Sequence, residues 1–345
     1  MHASATANRP LTLDLALTAH CPLRCRFCTV EKVPVPELTA LQWQKVMAAI
    51  ARLRPIHLIS LEGGEPLTRS DLARILAASL EHADEVKIVT SGAVPIDTLP
   101  AHLLGHPRLL IEVSVDGPKP VHDYLRDGSH DAAWGFIDAA MGRGSRLRLR
   151  SVVSVFNARL LEPWLEAVDL RLAGVSASAG YRFDTLIAPE ALEPTGGPVT
   201  RLALRRYDSA GLLPAPAEVW DLYHRLQRKP FQALRFEQTE AFRGCGTGRQ
   251  PIISFDPSGR FSFCCEAPRS FGKIRETTAR RCLALLDAQT ACLPCHGCTH
   301  LRDQLCDGCW TGQKCGMVSY WKTGDCRGLL SSVATPPRRR QSVRG

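Results

Sequence analysis

The chain has 345 residues, of which 45% are hydrophobic and 22% are charged, and its formal net charge is +9. These fractions are ordinary for a globular protein. No apolar run reaches the roughly 18 residues that a membrane span needs, and the N-terminus lacks the charged and apolar segments of a secretory signal. We therefore expect a cytoplasmic protein with one large α/β domain and a smaller one.

Short apolar runs alternate with helix-like segments over the first 230 residues. Such alternation predicts parallel βαβ units. Ser70 is the expected N-cap of the second helix, because its hydroxyl can accept a hydrogen bond from the first turn. In chain order the predicted strands cover residues 11–18, 57–61, 85–90, 109–115, 147–155 and 181–187, and the predicted helices cover residues 40–53, 70–81, 132–141, 160–170 and 217–228.

Six such units predict an α/β fold with a partial (β/α)6 TIM-like barrel over residues 1–230, since a full eight-unit barrel takes about 250 residues. Residues 188–216 are rich in proline and glycine and predict an insertion or linker. The cysteine-rich segment 243–326 is expected to form a small separate domain. Residues 331–345 form a basic tail that we expect to be disordered; no nucleic-acid-binding motif accompanies it, so we expect no nucleic-acid partner.

The 14 cysteines are distributed unevenly. Three lie within positions 21–28, none between 29 and 244, and eleven between 245 and 326. A disulfide scaffold would not leave the centre of the chain free of cysteine, and a reducing cytoplasm disfavours disulfides. We therefore interpret the cysteines as metal ligands or redox centres.

The first group of cysteines follows the first predicted strand. The stretch "AHCPLRCRFCTV" places Cys21, Cys25 and Cys28 in the spacing C-x3-C-x2-C. In parallel α/β proteins this end of the strands carries the reactive groups. Three thiolates can bind three irons of a [4Fe–4S] cluster and leave the fourth iron open, whereas a structural cluster or zinc site takes four protein ligands. A zinc knuckle completed by His20 is the alternative.

The pattern C-x3-C-x-aromatic-C, with Phe27 as the aromatic residue, resembles the motif of radical S-adenosylmethionine (SAM) enzymes. The resemblance implies that the open iron chelates the amino and carboxylate groups of SAM, and that an electron from the cluster splits the S–C5′ bond. The resulting 5′-deoxyadenosyl radical abstracts a hydrogen atom from the substrate. The resemblance also implies a partner that donates electrons, such as flavodoxin or ferredoxin.

A turn with two glycines follows the second predicted strand. In "LISLEGGEPL", Gly63, Gly64, Glu65 and Pro66 resemble the family's GGE motif, which binds the SAM amino group. Glycines permit the close backbone approach that such binding needs. These four residues are therefore candidate cofactor-binding residues, and a plain βα turn is the alternative.

Polar residues also occur on the fourth and fifth predicted strands. Ser114 and Asp116 end the fourth strand in "EVSVDGP", where the family often places side chains near the SAM ribose or the substrate. Asp116 is a candidate catalytic residue and Ser114 a cofactor-binding one; an ordinary Asp-Gly turn is the alternative. In "RLRLRSVVSVFN", Arg146, Arg148 and Arg150 share one face. An inward-facing arginine, with Arg150 as the candidate, would pair with the SAM carboxylate; a solvated outward stripe is the alternative.

A second group of cysteines lies near the end of the sequence. It runs C-x13-G-x4-C and then C-x2-C-x7-C-x2-C before a last cysteine. This resembles the SPASM domain, the seven-cysteine extension of many radical SAM enzymes, although the second half departs from the family's C-x2-C-x5-C-x3-C. Two C-x2-C pairs alone would also suit zinc, so a zinc ribbon is the alternative. The resemblance implies two auxiliary [4Fe–4S] clusters, one on Cys245, Cys264 and Cys309 and the other on Cys295, Cys298, Cys306 and Cys326.

Four cysteines fall outside these ligand sets: Cys265, Cys282, Cys292 and Cys315. Each is a candidate eighth ligand or a small buried hydrophobic residue. Cys265 adjoins a ligand, so we expect it to face the active-site region. Sulfatase-maturing relatives carry an aspartate at that place, which argues against their reaction here. Cys265 is a candidate catalytic residue that quenches a substrate radical by donating a hydrogen atom, as epimerases of the superfamily do; a plain ligand is equally consistent.

The resemblance also bears on the substrate. SPASM proteins mostly modify ribosomal peptides, which implies cross-linking, oxidation or epimerisation of a peptide. Many of them carry an N-terminal leader-binding domain, whereas here the cysteine motif comes early, which predicts a separate leader-binding protein or none. A small-molecule dehydrogenase acting on an aminocyclitol or sugar alcohol, with an auxiliary cluster as electron acceptor, is the alternative. A non-catalytic iron–sulfur or zinc scaffold is the third hypothesis, and the three-thiol site opposes it.

Overall fold

The computed structural model describes residues 9–28, 30, 32–175, 177–185, 211–212, 214, 216–237, 251–263 and 270–291. The strands in this part of the chain are β1 (Leu11–Thr18), β2 (Ile56–Gly63), β3 (Ala83–Thr90), β4 (Leu109–Ser114), β5 (Arg146–Val153), β6 (Ala179–Thr185), β7 (Leu234–Phe236), β8 (Ile252–Phe255), β9 (Arg260–Ser262) and β10 (Gly272–Lys273). The helices are α1 (Ala40–Ala51), α2 (Leu72–His82), α3 (Ala101–Leu104), α4 (Lys119–Leu125), α5 (His130–Gly142), α6 (Leu161–Gly174), α7 (Pro216–Arg228) and α8 (Ala279–Ala291).

All ten strands belong to one sheet, in the order β10-β9-β8-β1-β2-β3-β4-β5-β6-β7. Neighbouring strands are parallel from β8 through β7, and β9 and β10 are antiparallel additions at one edge. The first six strands alternate with helices in chain order. The predicted six-unit α/β arrangement is therefore confirmed, and β7 and β8 extend it at either side.

The predicted N-cap of the second helix is wrong. The helix begins at Leu72 with Asp71 as its N-cap, and Asp71 makes no side-chain capping bond. Its carboxylate instead accepts hydrogen bonds from the backbone of Ala40, at 2.9 Å, and from Arg69. Tertiary contacts have therefore replaced the local cap that the sequence suggested for Ser70.

The two faces of the sheet differ in chemistry because side chains alternate along each strand. One face is apolar: Leu11, Leu13, Leu15 and Leu17 of β1 are fully buried and belong to one core with residues of α1 and α2. The other face, here called the inner face, carries polar and charged side chains. These include Asp14, Ser60, Lys87, Glu112, Arg148, Arg150, Arg182, Asp184 and Ser254.

The described part of the C-terminal segment continues the main sheet. β8 pairs in parallel with β1 through Thr12 to Leu15, and Phe255 and Phe261 join the main core. Apolar residues of 252–263 therefore cover the edge of β1, so this part shares the barrel's sheet. The rest of the 243–326 segment, nearly all of 188–216 and the tail at 331–345 lie outside the described residues. Among the described helices, none combines the length and the apolar character that crossing a membrane requires.

Candidate functional site

The three N-terminal cysteines lie in the loop that follows β1. Cys21, Cys25 and Cys28 are free thiols of intermediate exposure, and the Cys28 amide donates to the Cys25 carbonyl at 3.2 Å. Burial raises the pKa of Cys25 to about 11 and also raises that of Cys21, and the neighbouring thiols add to both effects. In the part of the chain that the structure describes, no three His, Cys, Asp or Glu side chains are close enough to chelate an ion. The three thiols thus share one loop, and in a [4Fe–4S] cluster each thiolate binds a different iron, so they need not converge on a single ion.

The predicted Gly-Gly turn packs directly against this cysteine loop. The Gly64 amide donates to the Thr18 carbonyl at 2.7 Å, and the Glu65 amide donates to the His20 carbonyl at 2.8 Å. Gly63 has a φ of +122°, and a Cβ there would lie 2.5 Å from the Thr18 carbonyl oxygen. A Cβ on Gly64 would collide with the His20 carbonyl. Both glycines are therefore required for the turn to lie against the cysteine loop.

Glu65 stabilises the turn through hydrogen bonds to the end of β3. Its carboxylate is fully buried and accepts hydrogen bonds from the Thr90 hydroxyl at 2.8 Å, the Ser91 amide at 2.8 Å and the Ser91 hydroxyl at 2.5 Å. Pro66 begins a buried 3-10 turn, Pro66–Thr68. The side chain of Glu65 therefore joins the ends of β2 and β3, and the backbone of the turn is what faces the cysteine loop.

Asp116 lies just beyond β4 and is fully buried. Its carboxylate pairs with Arg126 at 2.5 Å and accepts the Val152 amide at 2.7 Å. The Arg126 guanidinium in turn lies 4.8 Å from the centre of the Phe27 ring, a cation–π distance within the cysteine loop. The structure thus connects two predicted site residues, Asp116 and Phe27, through an arginine that the sequence motifs did not indicate.

His122 supports the same arrangement. Its Nδ1 accepts the Asp116 amide at 3.2 Å, so its Nε2 carries the proton and donates to the Ser129 hydroxyl at 3.0 Å. Burial lowers the pKa of His122 to about 4, and the attraction of Asp116 only partly opposes this. A neutral histidine therefore holds the backbone of Asp116 in place by a hydrogen bond.

All three arginines of β5 lie on the inner face, and two of them are enclosed there. Arg148 and Arg150 approach the fully buried Glu112 carboxylate at 3.1 and 3.4 Å, and Arg150 also pairs with Asp184. Arg146 is about half exposed and pairs with Glu85. The solvated-stripe alternative is therefore wrong for Arg148 and Arg150.

Arg150 is the residue predicted to pair with the SAM carboxylate. In this structure two carboxylates already contact its guanidinium, so binding a third would require rearrangement. Ser114 ends β4 in register with Arg150 on the same face, which brings these two predicted residues together.

Glu112 is a further residue that sequence reasoning missed. Burial opposes its ionisation, but Lys87, Arg182, Arg150 and Arg148 outweigh this and lower the pKa of Glu112 to about 2. A signal was present, because "LLIEVS" places one acid in an otherwise apolar strand beside an alternating arginine strand. Arg126, in contrast, directly follows the short helix α4, and no sequence pattern there points to the cysteine loop.

Lys32 bears on whether this site suits an anionic metal group. Its ammonium nitrogen is buried and has no hydrogen-bond partner among the described residues, and its positive charge lowers the pKa of Cys21. A buried cation without a partner is unfavourable. A group of three thiolates with iron–sulfide would supply the negative charge, so the donor set and this lysine both fit a cluster on the loop.

The predicted auxiliary-cluster ligands lie outside the described residues, as do Cys265, Cys292 and Cys315. Cys282, on α8, is fully buried among core residues, and this burial raises its pKa to about 12. Of the two roles considered for Cys282, the structure therefore favours the small buried hydrophobic residue.

Residues 15–156 match the sequence model of the radical SAM superfamily. This segment contains the cysteine loop, the Gly-Gly turn, Asp116 and Arg126. The predicted resemblance is thereby confirmed for the segment that carries the site.

The relatives found by sequence include enzymes with different substrates. The PqqA peptide cyclase of Methylobacterium sp. (strain 4-46) is 30% identical over 156 residues, which are 43% of this chain and 40% of that protein. The GTP 3′,8-cyclase of Parasynechococcus marenigrum (strain WH8102) is 32% identical over 121 residues, which are 32% of this chain and 35% of that protein. The match thus spans about two fifths or less of each relative.

Solved structures resemble a larger part of the chain. Native anSMEcpe with bound AdoMet superimposes with a TM-score of 0.64 at 14% identity, covering 94% of this chain and 97% of that one. Streptococcus suis SuiB bound to S-adenosylmethionine gives a TM-score of 0.57 at 15% identity, covering 75% of this chain and 61% of that one. At such identities the similarity supports the fold alone.

Proposed function

We propose that this chain is a radical SAM enzyme that abstracts a carbon-bound hydrogen atom from a peptide. One observation carries the proposal: Cys21, Cys25 and Cys28 share a loop at the carboxyl end of β1, and the Gly63–Gly64 turn packs against that loop. Three thiols suit a [4Fe–4S] cluster with one open iron. When bound, such a cluster with SAM supplies a 5′-deoxyadenosyl radical.

The surrounding residues would hold and orient these groups. The Gly63–Gly64 turn offers backbone atoms within reach of a ligand on the loop, and Glu65 keeps that turn in place through its bonds to Thr90 and Ser91. Arg126 lies over Phe27 and fixes the aromatic residue of the cysteine motif. The Lys32 ammonium would balance negative charge near Cys21.

The choice of a peptide as substrate rests on similarity to the PqqA peptide cyclase. Similarity to the GTP 3′,8-cyclase supports a second candidate, a small-molecule substrate, which includes the dehydrogenase alternative. We further propose auxiliary clusters on the C-terminal cysteines, with Cys265 as hydrogen-atom donor or ligand, and an external electron donor of the flavodoxin or ferredoxin type. Cross-linking, oxidation and epimerisation all remain within the proposal.

The first experiment is anaerobic reconstitution with iron and sulfide, followed by SAM and a reductant. We expect iron in the protein and 5′-deoxyadenosine as product. Cys25→Ala should abolish 5′-deoxyadenosine while retaining iron bound by the C-terminal cysteines, and Cys282→Ala serves as a matched control that retains both. No iron in the wild type, or continued 5′-deoxyadenosine formation by the Cys25 variant, would contradict the proposal.

Iron content determines the number of clusters, and deuterium transfer determines the class of substrate. About 12 iron atoms per chain would support three [4Fe–4S] clusters, and about 8 would support one auxiliary cluster. About 4 iron atoms together with zinc would make the C-terminal module a zinc site. Deuterium transferred from a labelled peptide into 5′-deoxyadenosine would identify a peptide substrate, and transfer from a labelled polyol alone would favour the small-molecule candidate.

A further inference from the structure

We propose that Arg69 is a positioning residue that fixes the base of the cysteine loop, so that the three thiols are presented to the Gly-Gly turn in one arrangement. The inference rests on the proposed function only in assigning those thiols to a cluster. Arg69 stands three residues after Pro66, and its side chain is 8% exposed.

The Arg69 guanidinium uses all its donors. Nη1 donates to the Leu17 carbonyl at 2.7 Å and to the Glu37 carboxylate at 2.9 Å. Nη2 donates to the Leu38 carbonyl at 2.9 Å, and both Nη2 and Nε donate to the Asp71 carboxylate at 2.9 Å. A planar fork of this kind cannot be replaced by an ammonium without losing most of these bonds.

These partners lie on both sides of the cysteines in sequence. Leu17 belongs to the end of β1, immediately before the cysteine loop, and Leu38 is where the chain returns towards α1. Glu37 adds a second connection, because it accepts the Thr18 hydroxyl at 2.6 Å and the Ala19 amide at 3.3 Å. One guanidinium and one carboxylate therefore hold together the two ends of the segment that carries every cysteine of the site.

The consequence is conformational order in the loop. A loop whose ends are fixed loses less entropy when its side chains are brought onto a ligand. Because Arg69 also follows the Gly63–Pro66 turn on the same stretch of chain, it sets the loop and the turn relative to each other. Without Arg69 the fold would persist through its apolar core, but the thiols would sample many arrangements.

Arg54 offers a matched control. It is also a nearly buried arginine, at 3% exposure, and it donates to the Arg9 carbonyl at 2.7 Å and pairs with Asp287 at 2.8 Å. It lies just before β2, at the strand end opposite the cysteine loop. Arg54→Lys therefore removes a buried guanidinium of similar burial without touching the loop.

The test compares Arg69→Lys, Glu37→Gln and Arg54→Lys by hydrogen exchange on the metal-free chain and by chelator-driven iron release from the reconstituted protein. We expect amide exchange over residues 19–38 and iron release to rise about tenfold or more in Arg69→Lys, and less in Glu37→Gln. Exchange in α5 should stay as in the wild type, and Arg54→Lys should change neither quantity at the loop.

Unchanged exchange over residues 19–38 in Arg69→Lys, or an equal increase in Arg54→Lys, would overturn the proposal. The two readouts separate it from the proposed function. If the wild type binds no iron, the proposed function fails while hydrogen exchange still tests the role of Arg69.

Discussion

Glu112 and Asp116 are two fully buried carboxylates only four residues apart, and they sit in different surroundings. Glu112, on the inner face, lies within 3.8 Å of four cationic side chains from three strands. Asp116, beyond the strand end, pairs with one cationic side chain among the described residues, Arg126, and that partner contacts the cysteine loop. We infer that the first carboxylate mainly holds strands together and that the second mainly positions the loop.

The largest expected effect on stability is that of Glu112→Gln. Removing this charge leaves Lys87, Arg148, Arg150 and Arg182 facing one another with less compensation. Breaking a buried pair in this way typically costs about 3–5 kcal/mol. Urea unfolding should show this loss, while the rate of 5′-deoxyadenosine formation per folded, iron-loaded molecule should change little.

Glu85→Gln is the control for that variant. Glu85 of β3 pairs with Arg146 of β5, but the arginine is about half exposed, so this pair should contribute under about 1 kcal/mol. A Glu112→Gln variant as stable as Glu85→Gln would show that the inner-face charges are not coupled.

Asp116→Asn should reduce the enzyme's activity more than it reduces the stability of the fold. The amide keeps the shape of the side chain but no longer holds the Arg126 guanidinium by charge, so Phe27 loses its fixed partner. A displacement of about 1 Å at a reacting site can reduce a rate about 100-fold. We expect 5′-deoxyadenosine formation per iron-loaded molecule to fall about 10- to 100-fold, with less destabilisation in urea than Glu112→Gln causes. Equal activity losses in both variants would remove the distinction between the two carboxylates.

The sequence predicted more of the strands and of the cysteine loop than of these contacts. Leu11, Leu13, Leu15 and Leu17 alternate so regularly that the bounds of β1 were predicted as observed. The Gly63–Gly64 turn was also recognisable, because glycines are needed where backbone packs on backbone. Such features depend on residues close in sequence.

Contacts between distant residues could not be predicted in the same way. Arg126 lies about a hundred residues from Phe27, and the pairing of Asp71 with Ala40 that replaced the Ser70 cap depends on how α1 and α2 pack. The edge position of β8 also escaped prediction, because a short apolar strand such as 252–255 carries no sign of which strand it joins.

Acid should weaken the Asp116 region before the Glu112 region. His122 is held neutral, with its pKa lowered to about 4 by burial, whereas an unfolded histidine takes up a proton near pH 6.5. The unfolded state therefore binds more protons between these values, and stability falls as the pH drops from about 6.5 to about 4. The expected loss between pH 7 and pH 5 is about 2 kcal/mol.

Glu112 takes up its proton at a lower pH than His122 does. The pKa of Glu112 is about 2 in the folded chain against an ordinary 4.5, so its contribution is complete above about pH 4.5 and disappears as the pH falls towards 2. Urea unfolding of wild type and His122→Asn at the two pH values isolates the histidine, since asparagine keeps an acceptor for the Asp116 amide. A pH dependence that is identical in the two proteins would contradict the assignment.

The smallest expected effect is that of Cys282→Ala, which tests a buried thiol whose pKa is raised by burial. Only burial raises the pKa of this thiol, and its surroundings are core residues of α8 and the sheet. We expect a loss of about 1 kcal/mol in urea from the smaller side chain, with iron content unchanged. A fall in iron per chain would instead make Cys282 a cluster ligand. Cys282 would then not serve as the example of a residue that acts through packing, in contrast to Glu112 and Asp116, which act through charge.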